Sequence, residues 1–447
     1  MARKRTDRHY GEQHQDQRSA FQRDRDRVLY SSALRRLAGV TQVVHTAEGH
    51  IFHNRLTHTL KVAQVARRLA EFILQKNPPN LIEAVGDIDP DVVETAALVH
   101  DLGHPPFGHI AEEELDKQLG NRGVQDGFEG NAQSFRVITQ VTIKDDKYQG
   151  LNLTRASLNA SLKYPWSRGV AGKTRRKWGH YYSERRDFQF ARELGPGGEN
   201  QSAEAAIMDW ADDITYSVHD VDDFYRAGFI PLDRLMLGTS ERDRFLDAVF
   251  QRWEKEKRST VLNREAASAF FDGLKLLAVE AEDLEGGYTG SHLQQVILNH
   301  LSGFLIQRYI LPSGDGVPAV TLVAPPKQPS IQVEPTRRAE VDLLKALMQY
   351  YVFHNPALTT QQFGQRRVIR ELFDIYFDAA DPNSKDHNLN LLPQPFRDRW
   401  SEIRNDELKR ARLVADLISS MTEQQALLLH QRLTGIAAGS VRDPILG

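Results

Sequence analysis

Cysteine is absent from the 447-residue chain, which excludes disulfides, thiolate metal sites and a cysteine nucleophile. Any metal must be held by His, Asp or Glu. Long apolar runs are missing as well, since no stretch approaches the roughly 18 residues that span a bilayer. The N-terminal sequence MARKRTDRHYGEQHQDQRSAFQRDRDR has no apolar core of the signal-peptide kind, so a cytoplasmic protein without membrane contact is expected. Nor is there an excess of charge of one sign. Lys and Arg number 57 against 60 Asp and Glu, a formal net charge of −3, whereas a dedicated nucleic-acid binder is usually basic. The Arg-rich start reads first as a solvated, flexible arm.

What is present is ordinary globular composition: 40% hydrophobic, 26% charged and 9% aromatic residues, which excludes disordered and collagen-like classes. The length suits two or three domains or one extended helical core. Helical patterning dominates. From Arg55 to Leu74, Leu56, Leu60, Ala63, Ala66 and Ala70 recur at three- and four-residue spacing. Asp89-Pro90 announces a second helix running to His100-Asp101 and stopping near Gly103 to Pro106. A third begins around Gly108-His109, a fourth covers about Glu204 to Ala227, and a long one runs from about Trp400 to Leu417. The Gly- and Pro-bearing stretch from Lys163 to Asn200, including residues 168–200, reads as a long loop. VTLV and SIQV, between Leu311 and Pro335, form a short hairpin. The expected fold class is therefore mainly α with one small β-hairpin insertion.

His58, His100-Asp101 and Asp212 lie in or at the ends of separate predicted helices and can converge on one point. Imidazole nitrogen and carboxylate oxygen suit Zn²⁺, Mn²⁺, Fe²⁺ or Ni²⁺. Adjacent helical residues point about 100° apart, so His100 and Asp101 share an ion only at the flank of their helix. Read singly, each has a structural alternative: a core histidine, a helix-end histidine beside the dipole, a solvated acidic pair. Likewise Glu112 either orients His109 one turn away or caps the helix start. Asp212, Tyr216 and Asp220, at i, i+4 and i+8, line one helix face.

In order along the chain stand RLTH (55–58), LVHDLGHPPFGH (98–109), FEGNAQS (128–134), KYPW (163–166) and ADDITYSVHD (211–220). This ordered set resembles the HD-domain deoxynucleoside triphosphate triphosphohydrolases, often called dGTPases, over roughly residues 28 to 230. The resemblance implies an HD-type helical fold and hydrolysis of deoxynucleoside triphosphates (dNTPs) to deoxynucleoside and inorganic triphosphate. It implies that His58, His100, Asp101 and Asp212 bind a divalent metal (Mg, Mn, Co, Ni, Fe or Zn) and that His109 and Glu112 form the catalytic pair. By the same resemblance Tyr216, Asp220 and Gln42 contact the deoxyribose, and Arg55 contacts phosphate. Lys163, beside the long loop, is a further phosphate candidate or a surface lysine. Asp213 departs from the pattern, standing where other branches can carry a basic residue.

His104 and His180 receive no role. The run KTRRKW (173–178), near Tyr181, could meet phosphates or single-stranded nucleic acid, although an exposed loop is the simpler reading. The resemblance further implies a homo-oligomer and, in some members, a dNTP effector. The expected organisation is a basic arm over 1–28, a catalytic core over 29–230 and a helical C-terminal region over 231–447 that completes the fold and the oligomer interface. The competing functions are an HD phosphohydrolase of another nucleotide phosphate ester and a nucleotide-binding regulator without turnover.

Overall fold

The structure is a computed structural model describing residues 3–12, 16–41, 53–169, 176–258, 260–277, 286–325, 329–353 and 356–439. The helices used below are α1 (Ala20–Leu29), α2 (Arg55–Lys76), α3 (Pro90–Val99), α4 (His109–Asn121), α5 (Gly130–Arg136), α6 (Ala203–Arg226), α7 (His292–Ile310), α8 (Pro335–Tyr351), α9 (Pro356–Ala380), α10 (Gln394–Ile403), α11 (Glu407–Ser419) and α12 (Glu423–Leu433). The protein is mainly α. Among the described residues the one sheet is an antiparallel pair, β1 (Val320–Leu322) and β2 (Ile331–Val333), with Val320 opposite Val333.

The helix starts follow from local chemistry. Asn54 caps α2 by accepting from the Thr57 amide, Asp89 caps α3 ahead of Pro90, and Ser202 caps α6. Each side chain satisfies an amide that lacks an intrahelical partner. Small residues then let the helices approach closely. Val62, Ala63, Ala66 and Ala70 of α2 and Val93, Ala96 and Ala97 of α3 are buried in one apolar core with Ala206, Ile207 and Ala211 of α6 and with residues of α7 and α8.

A second core is separate. Ala111, Leu115 and Leu119 of α4 pack with Ile369, Leu372 and Phe373 of α9, Val414 and Leu417 of α11 and Ala426 of α12. The helix that begins at His109 thus belongs to the C-terminal packing unit, while α2, α3 and α6 belong to the first core.

Three expectations change. The helix expected over Trp400 to Leu417 is two, α10 and α11, because Asp406 accepts from the Lys409 amide and starts a new helix. The stretch expected as a long loop holds a helix, Arg185–Arg192, after a turn at Tyr182–Glu184. Glu184 anchors that turn by accepting from Arg136 at 2.5 Å. In the basic N-terminal stretch, Arg5 reaches Glu204 and Arg8 reaches Asp24, each at 2.6 Å, and the Arg155 amide donates to the Asp7 carbonyl at 2.8 Å. Buried carboxylates partner these arginines, so the described part of the stretch lies on the core instead of standing free in solvent. Among the described residues no helix is long and apolar enough to cross a membrane.

Candidate metal centre and active site

His58 stands in the first full turn of α2, buried, with its Nε2 at 3.1 Å from Asp212 Oδ1 on α6. His100 closes the end of α3. Its Nδ1 is 2.6 Å from the Ala97 carbonyl, an acceptor only, so Nδ1 carries a proton and Nε2 is the ring atom left to meet an ion. That Nε2 is buried without a hydrogen-bond partner and lies 3.7 Å from Asp212 Oδ1 and 3.6 Å from Asp101 Oδ2. Ligand atoms of His58, His100 and Asp212 all fall within 4.8 Å of one another. A buried ring nitrogen without a hydrogen-bond partner, set among carboxylate oxygens, is what a cation resolves, so the donor set fits a divalent ion. Asp101, the fourth expected ligand, is also held by Arg55 Nη1 at 2.9 Å.

The charges are strongly biased. Burial pushes the Asp101 carboxyl up, but Arg55, His100 and His104 outweigh it and hold it well below the usual range. Asp212 behaves alike: burial raises it, and Lys163, His100 and His58 bring it well below. Both are carboxylates at neutral pH. Lys163 Nζ sits 2.7 Å from Asp212 and 2.9 Å from Asp209, which overcome burial and raise its pKa. It is not a surface lysine.

Beside this centre lies a second group. His104, His109 and Glu112 offer ligand atoms within 4.8 Å of one another. His104, which received no role from sequence, stands 3.0 Å from Asp101 through Nδ1 and 3.0 Å from Glu112 through Nε2. Burial raises Glu112, and His104, His109, Lys177 and Arg55 take it down to about 2. Glu112 favours protonation of His109, but burial together with His104, Lys177 and Arg55 draws it below its ordinary value. Glu112 is buried beside His109, so the imidazole is backed by a fixed carboxylate.

Sequence reasoning missed two members of this group. Lys177 belongs to the basic run read as an exposed loop, yet its Nζ lies 3.1 Å from Glu129 and 3.5 Å from Glu112. Glu129 is buried and also caps α5 through the Asn131 and Ala132 amides. The FEGNAQS motif thereby gains a physical reading. A Cβ on Gly130 would stand 2.8 Å from Glu112 Oε1 and 3.1 Å from His104 Nε2, and Ser134 Oγ donates to the His100 carbonyl at 2.9 Å. The signal in the sequence is a lysine two residues before a glycine and a Glu-Gly pair, too little to identify either residue by itself.

Tyr216 and Asp220 follow Asp212 along α6. Asp220 is buried, and its Oδ2 has no hydrogen-bond partner. Burial, Asp223 and Asp212 push its pKa well up against Arg55; burial and the same-helix carboxylates Asp220 and Asp212 raise Tyr216. Asp213 turns to α8, where Arg338 lies at 2.5 Å and Lys345 also pairs with it. His180 stacks on Phe188 with ring centroids 3.9 Å apart. Gln42 lies outside the described residues, as do residues 173–175 of the basic run.

Comparison with known proteins gives the family. The HD domain matches residues 55–217, and the phosphohydrolase-associated domain matches residues 331–432. These define a phosphohydrolase of the HD class. A deoxyguanosinetriphosphate triphosphohydrolase-like protein of Streptomyces coelicolor is 39% identical over 436 residues, covering 94% of this chain and 93% of its own. Its namesake in Corynebacterium efficiens is 35% identical with the same coverage, and a third, from Mesorhizobium japonicum, is 31% identical over 96% of this chain and 95% of its own. The chain belongs to the HD-domain family of deoxyguanosinetriphosphate triphosphohydrolase-like proteins.

Proposed function

We propose that the protein hydrolyses deoxynucleoside triphosphates to deoxynucleoside and inorganic triphosphate, with a divalent metal held by His58, His100, Asp101 and Asp212. The observation that carries the reading is the buried, partnerless Nε2 of His100 between Asp101 and Asp212, one group away from the His104–Glu112 pair. The relatives' name, deoxyguanosinetriphosphate triphosphohydrolase-like, supports the substrate class. A divalent ion supplies Lewis-acid polarisation of a phosphoryl oxygen and acidifies water.

The chain's own residues do the rest. Arg55 presents a planar fork suited to phosphate oxygens, and Lys163 adds a second positive charge. An oxygen–phosphorus bond forms from water to the α-phosphorus as the bond to the 5′-oxygen breaks in line with it. His109, backed by Glu112, manages the proton, giving one to the departing 5′-oxygen or taking one from the attacking water. The partnerless Asp220 oxygen meets the sugar 3′-hydroxyl, Tyr216 crowds the 2′ position, and Gln42 assists at the sugar. Homo-oligomer assembly, a dNTP effector and a cytoplasmic location belong to the same reading.

The experiment is Asp101→Ala, with metal content by mass spectrometry alongside dNTP turnover. The variant is expected to lose bound metal and turnover while keeping its helical circular dichroism; stoichiometric metal with full activity removes Asp101 from the site.

A further inference from the structure

One buried carboxylate of the C-terminal region reaches the entries of two site helices. Glu423, the first residue of α12, is fully buried. Its Oε1 accepts from the Thr41 amide at 2.9 Å and from the Phe107 amide at 3.1 Å, and its Oε2 accepts from the Thr41 hydroxyl at 2.6 Å. The start of its own helix does not need this carboxylate, since Thr422 and Gln425 already form a reciprocal capping box.

Both donor residues lead into helices of the candidate site. Phe107 has φ +67° and Gly108 φ +58°, and this left-handed pair turns the chain into α4, whose first turn carries His109 and Glu112. A left-handed phenylalanine persists only where its surroundings hold it. Thr41 forms a β-bridge with Asn54, the cap of α2, and the Arg55 amide donates to the Val40 carbonyl at 3.0 Å. One carboxylate therefore grips the entry to the helix of Arg55 and His58 and the entry to the helix of His109 and Glu112.

The same corner is gripped a second time. Arg36 donates to the Met421 carbonyl at 3.2 Å, to Leu102 at 2.7 Å and to His104 at 2.9 Å. Gly39 lies against Thr422 so closely that a Cβ would stand 2.8 Å from its side chain.

We propose that Glu423 is a positioning residue: through it the C-terminal helical region sets the distance between the proposed metal-binding helix and the proton-handling helix. This rests on the hydrolytic reading above. Glu423→Gln keeps the length and an oxygen for both amides; Glu423→Asp keeps the charge and withdraws the oxygens by one methylene; Glu423→Ala removes them.

The test is kcat and KM on each dNTP with Mn²⁺, together with site-resolved hydrogen exchange at the Phe107 amide. The Asp and Ala variants are expected to lose about 100-fold in kcat with KM changed less than about 3-fold, since an ångström of misplacement can cost that much. Phe107 exchange should accelerate in both. The Gln variant should restore both readouts. Wild-type kcat in the Asp and Ala variants, unchanged Phe107 exchange, or a Gln variant as impaired as Ala would each overturn the proposal. If the wild-type protein hydrolyses no dNTP, the hydrolytic reading fails, and the clamp is judged on exchange alone, where equal Phe107 rates in wild type and Ala refute it.

Discussion

His104 Nε2 stands 3.0 Å from Glu112 Oε1, and the α-carbon of Gly130 faces that contact with no room for a methyl group. The close approach of His104 to Glu112 is thus bounded by a residue of another helix, α5.

Gly130→Ala tests that boundary. Alanine favours a helix over glycine by about 1 kcal/mol, and Gly130 opens α5. The added methyl would press on Glu112 Oε1 at 2.8 Å. Turnover is expected to fall at least about 10-fold, a modest share of what general acid–base catalysis contributes. Helical content should remain, and a thermal melt beside the kinetic assay separates the two effects. Undiminished turnover would show that the pair tolerates displacement.

Glu204 gives a pH dependence of stability. Burial outweighs Arg5 and the Asp89 amide and raises its pKa from 4.5 to about 7. The folded state then binds the proton more tightly than the unfolded one, so this group's contribution to stability declines as pH rises from about 4.5 to about 7 and is level above that. Urea unfolding of wild type and Glu204→Gln at pH 5 and pH 8 isolates the group. The wild-type stability minus that of the variant is expected to be smaller at pH 8; an equal difference at both pH values contradicts the raised pKa.

Tyr216→Ala should admit a 2′-hydroxyl. The ratio of kcat/KM for a dNTP over the matching ribonucleotide is expected to drop about 10-fold, the scale on which pocket shape discriminates. An unchanged ratio, measured with dGTP and GTP, would take Tyr216 out of sugar selection.

What could be read in the sequence follows physical range. The helix of His58 was legible from its apolar spacing, the grouping of His58 with Asp212 came from the resemblance of the ordered motifs, and the hairpin was legible because two β-patterned runs flank a Pro-rich turn. Lys177 was not, since a lysine in a basic loop carries no periodic signal of the two carboxylates it meets. Glu423 was less so: its partners Thr41 and Phe107 are 382 and 316 residues away in sequence. The break at Asp406 is marked in the sequence only by Asn405-Asp406, while in the structure the chain turns at 404–405 and Asp406 is extended (φ −114°, ψ 102°) before it caps the next helix.

The most direct test is hydrolysis of each dNTP by the metal-loaded protein in ¹⁸O-enriched water, with products separated by ion exchange and weighed. The account predicts intact inorganic triphosphate carrying the label and deoxynucleoside without it, as attack at the α-phosphorus requires. Pyrophosphate or orthophosphate as the first product, or label in the deoxynucleoside 5′-hydroxyl, would contradict it.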